Sequence, residues 1–141
     1  MSARSGELSE NSRNSADTPK KPAPHRRLLI VDDEPLIRWW LAETFSTLDC
    51  EIVEASDGSS ALAALSDGKP FDAILLDFRL PDSNDLTLLA RLRDLSPSAR
   101  IVLMTAFGTP EVRRRALEVG ANSVVTKPFQ IEDVAGVMFA A

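Results

Sequence analysis

The chain has 141 residues, of which 44% are hydrophobic and 26% are charged, and both values are ordinary for one globular domain. A single cysteine, Cys50, excludes an internal disulfide framework and any zinc site built from several cysteines. We expect Cys50 to be a buried or half-buried strand residue. No apolar run approaches the length of a membrane span and the polar N-terminus is unlike a signal peptide, so the expected location is cytoplasmic.

The net charge of −5 is unevenly distributed along the chain. Residues 1–27 carry six basic and three acidic side chains, whereas residues 28–141 carry ten basic and eighteen acidic ones. Residues 28–141 are therefore acidic enough to repel the phosphates of a nucleic acid, and we expect no direct nucleic-acid binding by this domain. Its acidic residues could instead hold a divalent cation.

The first 27 residues are rich in Ser, Asn, Pro and charge, and they show no hydrophobic period. This composition predicts a disordered N-terminal tail over residues 1–27, in which His25 is interpreted as solvated. A single domain is expected over residues 28–141.

Short apolar runs then alternate with amphipathic stretches. Leu28–Val31 predicts a first strand, and the helix after it is expected to begin near Pro35, a residue suited to a first helical turn. Glu51–Ala55 predicts the second strand and Ser59–Leu65 the second helix. The apolar face of the first helix is predicted to hold Ile37, Trp40, Leu41, Thr44, Phe45 and Leu48.

The second half of the domain continues the alternation. Phe71–Asp77 has a continuous apolar centre, which predicts a central strand buried on both faces of a parallel sheet. Ile101–Met104 and Val124–Val125 predict the last two strands. The remaining helices are predicted at Leu86–Leu95, at Glu111–Val119 with Gly120 as its end, and at Gln130–Phe139. Five such units predict an α/β fold with a doubly wound, five-stranded parallel sheet, flavodoxin-like, with strand order 2-1-3-4-5.

Polar side chains follow the predicted strands at their carboxyl ends. Asp32 and Asp33 end the first strand and Asp77 ends the third. Thr105 ends the fourth strand, and Lys127 follows the fifth. Because ligands of such sheets bind beyond the carboxyl ends of the strands, at the point where the winding reverses, we expect the five side chains to share one cleft.

These residues could also have ordinary structural roles that need no ligand. Asp33 could cap the first helix, and Asp77 could be an ordinary turn residue. Thr105 could be a strand residue with nothing to bind, and Lys127 a solvated charge. Their common position at one edge of a single sheet favours a shared site.

The set suits phosphoryl transfer assisted by magnesium. Packed carboxylates repel one another unless a cation holds them, and Mg²⁺ accepts both carboxylate and phosphate oxygens. Asp77 is the candidate nucleophile, because a carboxylate can form an acyl phosphate. The Lys127 ammonium would neutralise charge on the phosphoryl oxygens, and the Thr105 hydroxyl would add a hydrogen bond.

The segments LLIVDDEP, ILLDFRLPDSNDL, VLMTAFG and VTKPF, in this order, resemble the receiver domain of two-component response regulators. RLPDSNDLTLL and TAFGTPEV are most similar to receivers of nitrogen-regulation-type transcription activators. The resemblance implies a phosphorelay module in which a histidine kinase or a phosphotransfer protein phosphorylates Asp77 and so switches a protein–protein interaction.

The resemblance also implies site roles. Thr105 and Lys127 would hold the phosphoryl group on Asp77, and the Lys127–Pro128 bond is expected to be cis. Mg²⁺ would be the cofactor, and its implied ligands are Asp32 (largely through water), Asp33, Asp77 and the backbone carbonyl of Arg79.

Two positions depart from the family pattern. Val124 stands where many receivers carry a Tyr or Phe that turns inward on activation, and Phe107 is a candidate partial substitute. Asp85 stands where glycine is common, and either it or Asn84 is expected to cap the next helix. Arg79 and Phe107 flank the expected path of the hydrolytic water, so they are predicted to set the lifetime of the acyl phosphate.

Two surface features suggest partners. Trp40 is predicted to be core, whereas Trp39 is predicted to be half exposed, where it could contact a partner. The run Arg113–Arg115 on the fourth helix is first interpreted as a solvated face. A homodimer through the surface of the fourth helix, fifth strand and fifth helix is a second hypothesis.

Other interpretations stay open. A phosphorylation-independent interaction domain would not need the complete set of polar residues. A small phosphatase would carry a second acid two residues after Asp77, where Arg79 stands, so we expect no conventional enzyme, only a module that assists its own phosphorylation and dephosphorylation. Because the chain ends just after the fifth helix, it is expected to be a stand-alone receiver or a fragment of a longer activator.

Overall fold

The computed structural model of the chain describes residues 26–138, so most of the predicted tail, with His25, lies outside the described residues. The first strand begins at Arg26, two residues before the predicted start of the domain. The strands are β1 (Arg26–Val31), β2 (Cys50–Ala55), β3 (Ala73–Asp77), β4 (Arg100–Thr105) and β5 (Ser123–Thr126). The helices are α1 (Pro35–Ser46), α2 (Gly58–Leu65), α3 (Thr87–Leu95), α4 (Pro110–Val119) and α5 (Ile131–Met138).

The five strands form one parallel sheet in the order β2-β1-β3-β4-β5, which confirms the predicted fold and strand order. The register aligns the carboxyl ends of the central strands. Val31 pairs with Leu76, so the residues that follow them, Asp32 and Asp77, lie side by side. Thr105 pairs with Thr126, which places Lys127 one residue beyond the end of the β4–β5 pair.

Alternation along the strands divides the core into two layers, because successive side chains point to opposite faces. Leu29 and Val31 face the layer under α2, α3 and α4, whereas Leu28 and Ile30 face the layer under α1 and α5. All five residues of β3 are buried, as its continuous apolar run predicts. Cys50 is buried at the start of β2, as expected.

The prediction that Trp40 belongs to the core is wrong. It is 39% exposed, and its ring stacks on Phe129 of the β5–α5 loop with 6.2 Å between the ring centroids. The core face of α1 is centred instead on Leu41, Ala42 and Phe45, which leaves Trp40 at the edge of that face. Trp39 is 59% exposed, in agreement with its predicted half exposure.

Leu48 was also predicted on the apolar face of this helix, but α1 ends at Ser46. Leu48 therefore lies beyond the last helical turn, and 47% of it is exposed. The hydrophobic period in the sequence continues further than the helix does.

The helices that follow begin in different ways. Asp57 caps α2, because its carboxylate accepts a hydrogen bond from the backbone nitrogen of Ser60. The capping position of α3 is Leu86, which provides no side-chain cap, so neither Asn84 nor Asp85 occupies the predicted position; Asp85 accepts a hydrogen bond from the backbone nitrogen of Thr87, the first residue of α3. Gly120 ends α4 with a φ of 141°, a backbone conformation that favours glycine.

A second carboxylate joins α2 to the β3–α3 loop. Asp82, in that loop, accepts hydrogen bonds from the backbone nitrogens of Gly58 (2.8 Å) and Ser59 (3.0 Å). These nitrogens belong to the first turn of α2, where helix geometry provides no acceptor. The loop after Asp77 is therefore fixed to a neighbouring helix.

Two arginines join segments at the opposite, amino edge of the sheet. Arg27 pairs with Glu51 and Asp67, and its guanidinium lies 4.2 Å from the centroid of the Phe71 ring. Arg93 of α3 donates hydrogen bonds to the carbonyls of Ser96, Pro97, Ala99 and Gly120 and to the side-chain oxygen of Asn122. Over residues 26–138, no helix is long and apolar enough to cross a membrane.

Candidate functional site

The structure brings the predicted site residues together at the carboxyl edge of the sheet. The Nζ atom of Lys127 lies 3.1 Å from Oδ2 of Asp32 and 3.3 Å from Oδ1 of Asp77. Thr105 ends β4 beside them, and its carbonyl accepts a hydrogen bond from the backbone nitrogen of Lys127. Residues from four strands therefore meet in one cleft, as the sequence pattern predicts.

Asp32 is completely buried and held on both carboxylate oxygens. Oδ1 accepts a hydrogen bond from the backbone nitrogen of Glu34 at 2.9 Å, and Oδ2 contacts Lys127. The backbone nitrogen of Asp32 donates to the carbonyl of Ala55 at the end of β2. Such a buried carboxylate is tolerated because charged and polar partners replace water.

Asp33 differs from its neighbour because its side chain is exposed. The residue preceding α1 is Glu34, and no side chain caps this helix, so the capping alternative for Asp33 is wrong. One carboxylate oxygen from each of Asp32, Asp33 and Asp77 lies within 4.8 Å of the other two. Three hard oxygen donors this close fit a cation such as Mg²⁺, which prefers oxygen ligands and retains several waters.

The electrostatics of the cleft are unbalanced without a cation. Burial, and next the charge of Asp32, raise the pKa of Asp77 to about 6, although Lys127 opposes the change. Burial lowers the pKa of Lys127, but the charges of Asp32 and Asp77 outweigh it, so the pKa of Lys127 is raised. Glu34 adds a further carboxylate oxygen 3.7 Å from the ammonium. One ammonium thus faces several carboxylates, and a divalent cation would relieve their repulsion.

Thr105 is 2% exposed and its Oγ1 accepts a hydrogen bond from the backbone nitrogen of Phe107 at 3.1 Å. The loop after β4 runs close to β5 at Gly108, where a Cβ atom would collide with Oγ1 of Thr126. A side chain at position 108 would require either the Thr126 hydroxyl or the loop to shift.

The side chains of Arg79 and Phe107, from the loops after β3 and β4, contact each other. The Arg79 guanidinium lies 5.6 Å from the centroid of the Phe107 ring, and 64% of Phe107 is exposed. The backbone N–H of Arg79 lowers the pKa of Asp77, against the effect of burial.

An apolar cleft of about 430 Å³ adjoins Lys127. Ile37, Trp40 and Phe129 line it, together with Pro128, whose bond to Lys127 is cis as predicted. Val124, which stands at the position of the inward-turning aromatic residue of many receivers, is buried in the core and only 4% exposed.

Sequence reasoning missed three residues around the cleft. Glu34 and Arg38 follow the acidic pair, and Arg38 contacts the backbone of Asp32. Asp82 fixes the loop that carries Arg79. The sequence offered only one signal for these three residues, which is that each lies close to a motif. Their partners lie on β2, α2 and the β5–α5 loop, and only the fold brings them together.

The family model of the response regulator receiver domain matches residues 28–138. Sporulation initiation phosphotransferase F of Bacillus subtilis is 31% identical over 110 residues, which are 78% of this chain and 88% of that protein. The probable transcriptional regulatory protein TcrX of Mycobacterium tuberculosis is 39% identical over 107 residues, which are 76% of this chain. The match spans only 45% of TcrX, so this chain corresponds to less than half of that relative.

Solved structures agree with these matches. A response regulator from Burkholderia pseudomallei, crystallised with a phosphorylated aspartic acid, a calcium ion and citrate, superposes with a TM-score of 0.76 at 25% identity. The superposition covers 82% of this chain and 67% of that one. NtrX from Brucella abortus gives a TM-score of 0.70 at 31% identity, over 78% of this chain and 26% of that one.

Proposed function

Because this chain belongs to the response regulator receiver domain family, we propose that Asp77 accepts a phosphoryl group in a Mg²⁺-dependent reaction. The donor is a phosphohistidine of a histidine kinase or phosphotransfer protein. One observation carries the proposal: the nearly buried Asp77 carboxylate lies within 4.8 Å of two other carboxylates and 3.3 Å from an ammonium. A site with this donor set can hold a cation and an anionic phosphoryl group together.

The transfer exchanges one bond to phosphorus for another. A carboxylate oxygen of Asp77 attacks the phosphorus atom in line with the P–N bond of the phosphohistidine. The P–N bond breaks as the P–O bond forms, and the imidazole leaves with the electron pair. The pKa of Asp77, about 6 without a cation, leaves its carboxylate ionised and nucleophilic near neutral pH.

Chain residues position and neutralise the transferred group. Asp32, Asp33, Asp77 and the carbonyl of Arg79 would hold Mg²⁺, which when bound supplies positive charge to the phosphoryl oxygens. The Lys127 ammonium leaves its contact with Asp77 to pair with a phosphoryl oxygen. The Thr105 hydroxyl keeps its proton free while its oxygen accepts from Phe107, so it can donate to another phosphoryl oxygen.

The acyl phosphate is removed when water attacks the phosphorus from the side opposite Asp77. We expect that path to pass Arg79 and Phe107, whose side chains contact each other. These side chains would therefore limit access of water and set the lifetime of the signal.

The test is the intact mass of the protein after incubation with acetyl phosphate and Mg²⁺. Wild type should gain one phosphoryl group, and Asp77→Asn should gain none. Asp85→Asn is the matched control, because it removes an exposed carboxylate from the same β3–α3 loop, and it should react like wild type. Modification of Asp77→Asn, or none of wild type when Mg²⁺ is bound, would contradict the proposal.

The kinase or phosphotransfer partner is expected to contact the exposed apolar part of α1 beside the cleft. Leu36 is 80% exposed and Trp39 is 59% exposed there, and a tryptophan often contributes much of the binding energy of an interface. Trp39→Ala should slow phosphorylation by the cognate kinase and leave phosphorylation by acetyl phosphate unchanged. Equal rates from the kinase in both proteins would exclude Trp39 from the contact.

A homodimer of the phosphorylated form is a second interaction to test. Arg113, Arg114 and Arg115 are all exposed on α4, and Arg114 lies 3.5 Å from Glu118 of the same helix. Acidic side chains of a second copy could pair with this basic run in a dimer through α4, β5 and α5. Sedimentation of the phosphorylated protein as a monomer at all concentrations would exclude this dimer.

A further inference from the structure

Arg38 is a partly buried cation next to the cleft, and the proposed reaction assigns it no role. It lies in the first turn of α1, and its side chain is 20% exposed. An arginine in a first helical turn is unfavourable for the helix dipole, which prefers negative charge at this end. Its position therefore needs a reason outside the helix.

The guanidinium of Arg38 joins the β1–α1 turn to the neighbouring strand. Nη1 donates a hydrogen bond to the backbone carbonyl of Asp32 at 2.6 Å. Nε donates to Oε1 of Glu54 on β2 at 3.1 Å. The two contacts use different edges of the planar guanidinium, so Glu54 fixes its orientation toward the carbonyl.

The Asp32 carbonyl needs this partner because β1 has already ended. The pairing of β1 with β2 stops at Val31 and Ala55, one residue earlier. Asp32 is fully buried, and without Arg38 its carbonyl would lose the hydrogen-bond donor that the described residues provide. A buried acceptor left without a donor is costly, and a charged donor makes the stronger bond.

This contact controls the carboxylate pair that follows β1. The backbone nitrogen, both carboxylate oxygens and the carbonyl of Asp32 are all held. Asp33 makes no side-chain hydrogen bond or ion pair within residues 26–138, so no other side chain fixes its carboxylate, and the backbone of the turn determines the direction in which the side chain leaves the chain. Mg²⁺ demands near-ideal octahedral geometry, and a small rotation of this turn would misplace two of its ligands.

We propose that Arg38 is a positioning residue for the divalent cation, and that it acts through the Asp32 carbonyl with Glu54 as its anchor. The inference rests on the proposed function, since it assigns Mg²⁺ to the carboxylates. Arg38 does not act as a charge, because a cation beside the site would repel Mg²⁺ and Glu54 neutralises it. It acts by holding the turn in the conformation that binds the metal.

The test compares Mg²⁺ affinity, measured by isothermal titration calorimetry, for wild type, Arg38→Met, Arg38→Lys and Arg91→Met. Arg38→Met should weaken Mg²⁺ binding about 10-fold, the lower end of what loss of an indirect metal contact causes. Arg38→Lys keeps a single donor and should lie between Arg38→Met and wild type. Arg91→Met removes an exposed arginine of α3 with the same change in net charge, and it should bind like wild type.

A kinetic readout separates positioning from a general loss of structure. With acetyl phosphate as donor, Arg38→Met should need more Mg²⁺ for half-maximal phosphorylation but reach the wild-type rate at saturating Mg²⁺. If Arg38→Met does not fold, Glu54→Ala leaves the arginine in place without its anchor, and it should show a smaller loss of affinity in the same direction.

The outcomes distinguish the two proposals. Wild-type Mg²⁺ affinity in a folded Arg38→Met protein, or in Glu54→Ala where Arg38→Met does not fold, would overturn the role of Arg38 and leave the proposed function intact. A lower saturating rate with unchanged Mg²⁺ dependence would also overturn it. Absence of Mg²⁺ binding by wild type would overturn both proposals.

Discussion

Asp77→Asn should stabilise the metal-free protein, by an amount that depends on pH. The pKa of Asp77 is about 6 in the folded protein, against 3.8 for an aspartic acid side chain exposed to water. Because the folded-state pKa is raised, protonation of Asp77 favours folding. Its contribution to stability is fully present below about pH 3.8 and is lost as the pH rises through about 6. An asparagine is neutral at every pH and avoids that loss.

The magnitude follows from the two pKa values. At about pH 7.5 both states are ionised, and the difference corresponds to about 3 kcal/mol in the free energy of unfolding. At about pH 5 most of the folded protein carries protonated Asp77, and the advantage of asparagine falls to about 1.6 kcal/mol. At about pH 4 it falls to about 0.5 kcal/mol. Asp77 is 7% exposed, so solvent screening removes little of this effect.

The assay is urea unfolding with EDTA at these three pH values, for wild type and Asp77→Asn. Asp94→Asn, at an exposed position of α3, is the control, and it should change the free energy of unfolding by less than about 0.5 kcal/mol at each pH. A gain for Asp77→Asn that stays constant from pH 7.5 to pH 4, or a loss of stability at pH 7.5, would refute the reasoning. Saturating Mg²⁺ should reduce the gain, since the cation binds the folded wild type.

Three further predictions concern the loops around the cleft. Arg79→Ala and Phe107→Ala should each shorten the lifetime of the acyl phosphate, measured as phosphate release after the donor is removed; unchanged lifetimes would dissociate the Arg79–Phe107 contact from hydrolysis. Asp82→Ala should lower the free energy of unfolding by about 1 kcal/mol, because it removes the acceptor of two helix-terminal nitrogens, and urea unfolding would show this. Gly108→Ala should destabilise the protein by about 1–2 kcal/mol through the collision with Thr126, and Thr126→Ala in the same chain should recover most of the loss; a double variant no more stable than Gly108→Ala would contradict the steric explanation.

The fold could be predicted from the sequence because its strands are unambiguous. β3 is a continuous apolar run, and such a run is stable only where both faces of a strand are covered. Right-handed crossovers left few possible strand orders, and the predicted order 2-1-3-4-5 is the one among them that places the first and third strands side by side. The convergence of Asp32, Asp77 and Lys127 then follows from the geometry of any parallel sheet, since all carboxyl ends lie at one edge.

The failures lie where a contact crosses between elements. Trp40 satisfies the helical period as well as Leu41 does, and the period alone does not show that its neighbour is the loop residue Phe129. Arg38 reads as an ordinary helix-surface cation until β2 is placed beside it. From the sequence alone Asp82 is an ordinary turn residue, and only the structure shows that it accepts a hydrogen bond from the first turn of α2. Contacts between residues of different elements depend on the tertiary structure, and they leave no pattern in the local sequence.

The bonds at the two edges of the sheet differ in whether a chemical change at Asp77 reaches them. At the amino edge, Arg93 binds three carbonyls after α3, the end of α4 and the side chain of Asn122, and none of these groups belongs to the cleft. At the carboxyl edge, the Lys127 ammonium pairs with Asp32 and Asp77, so a phosphoryl group or a cation on these carboxylates would replace those pairs. Phosphorylation is therefore expected to change amide hydrogen exchange in the loops of the carboxyl edge and to leave exchange around Arg93 unchanged.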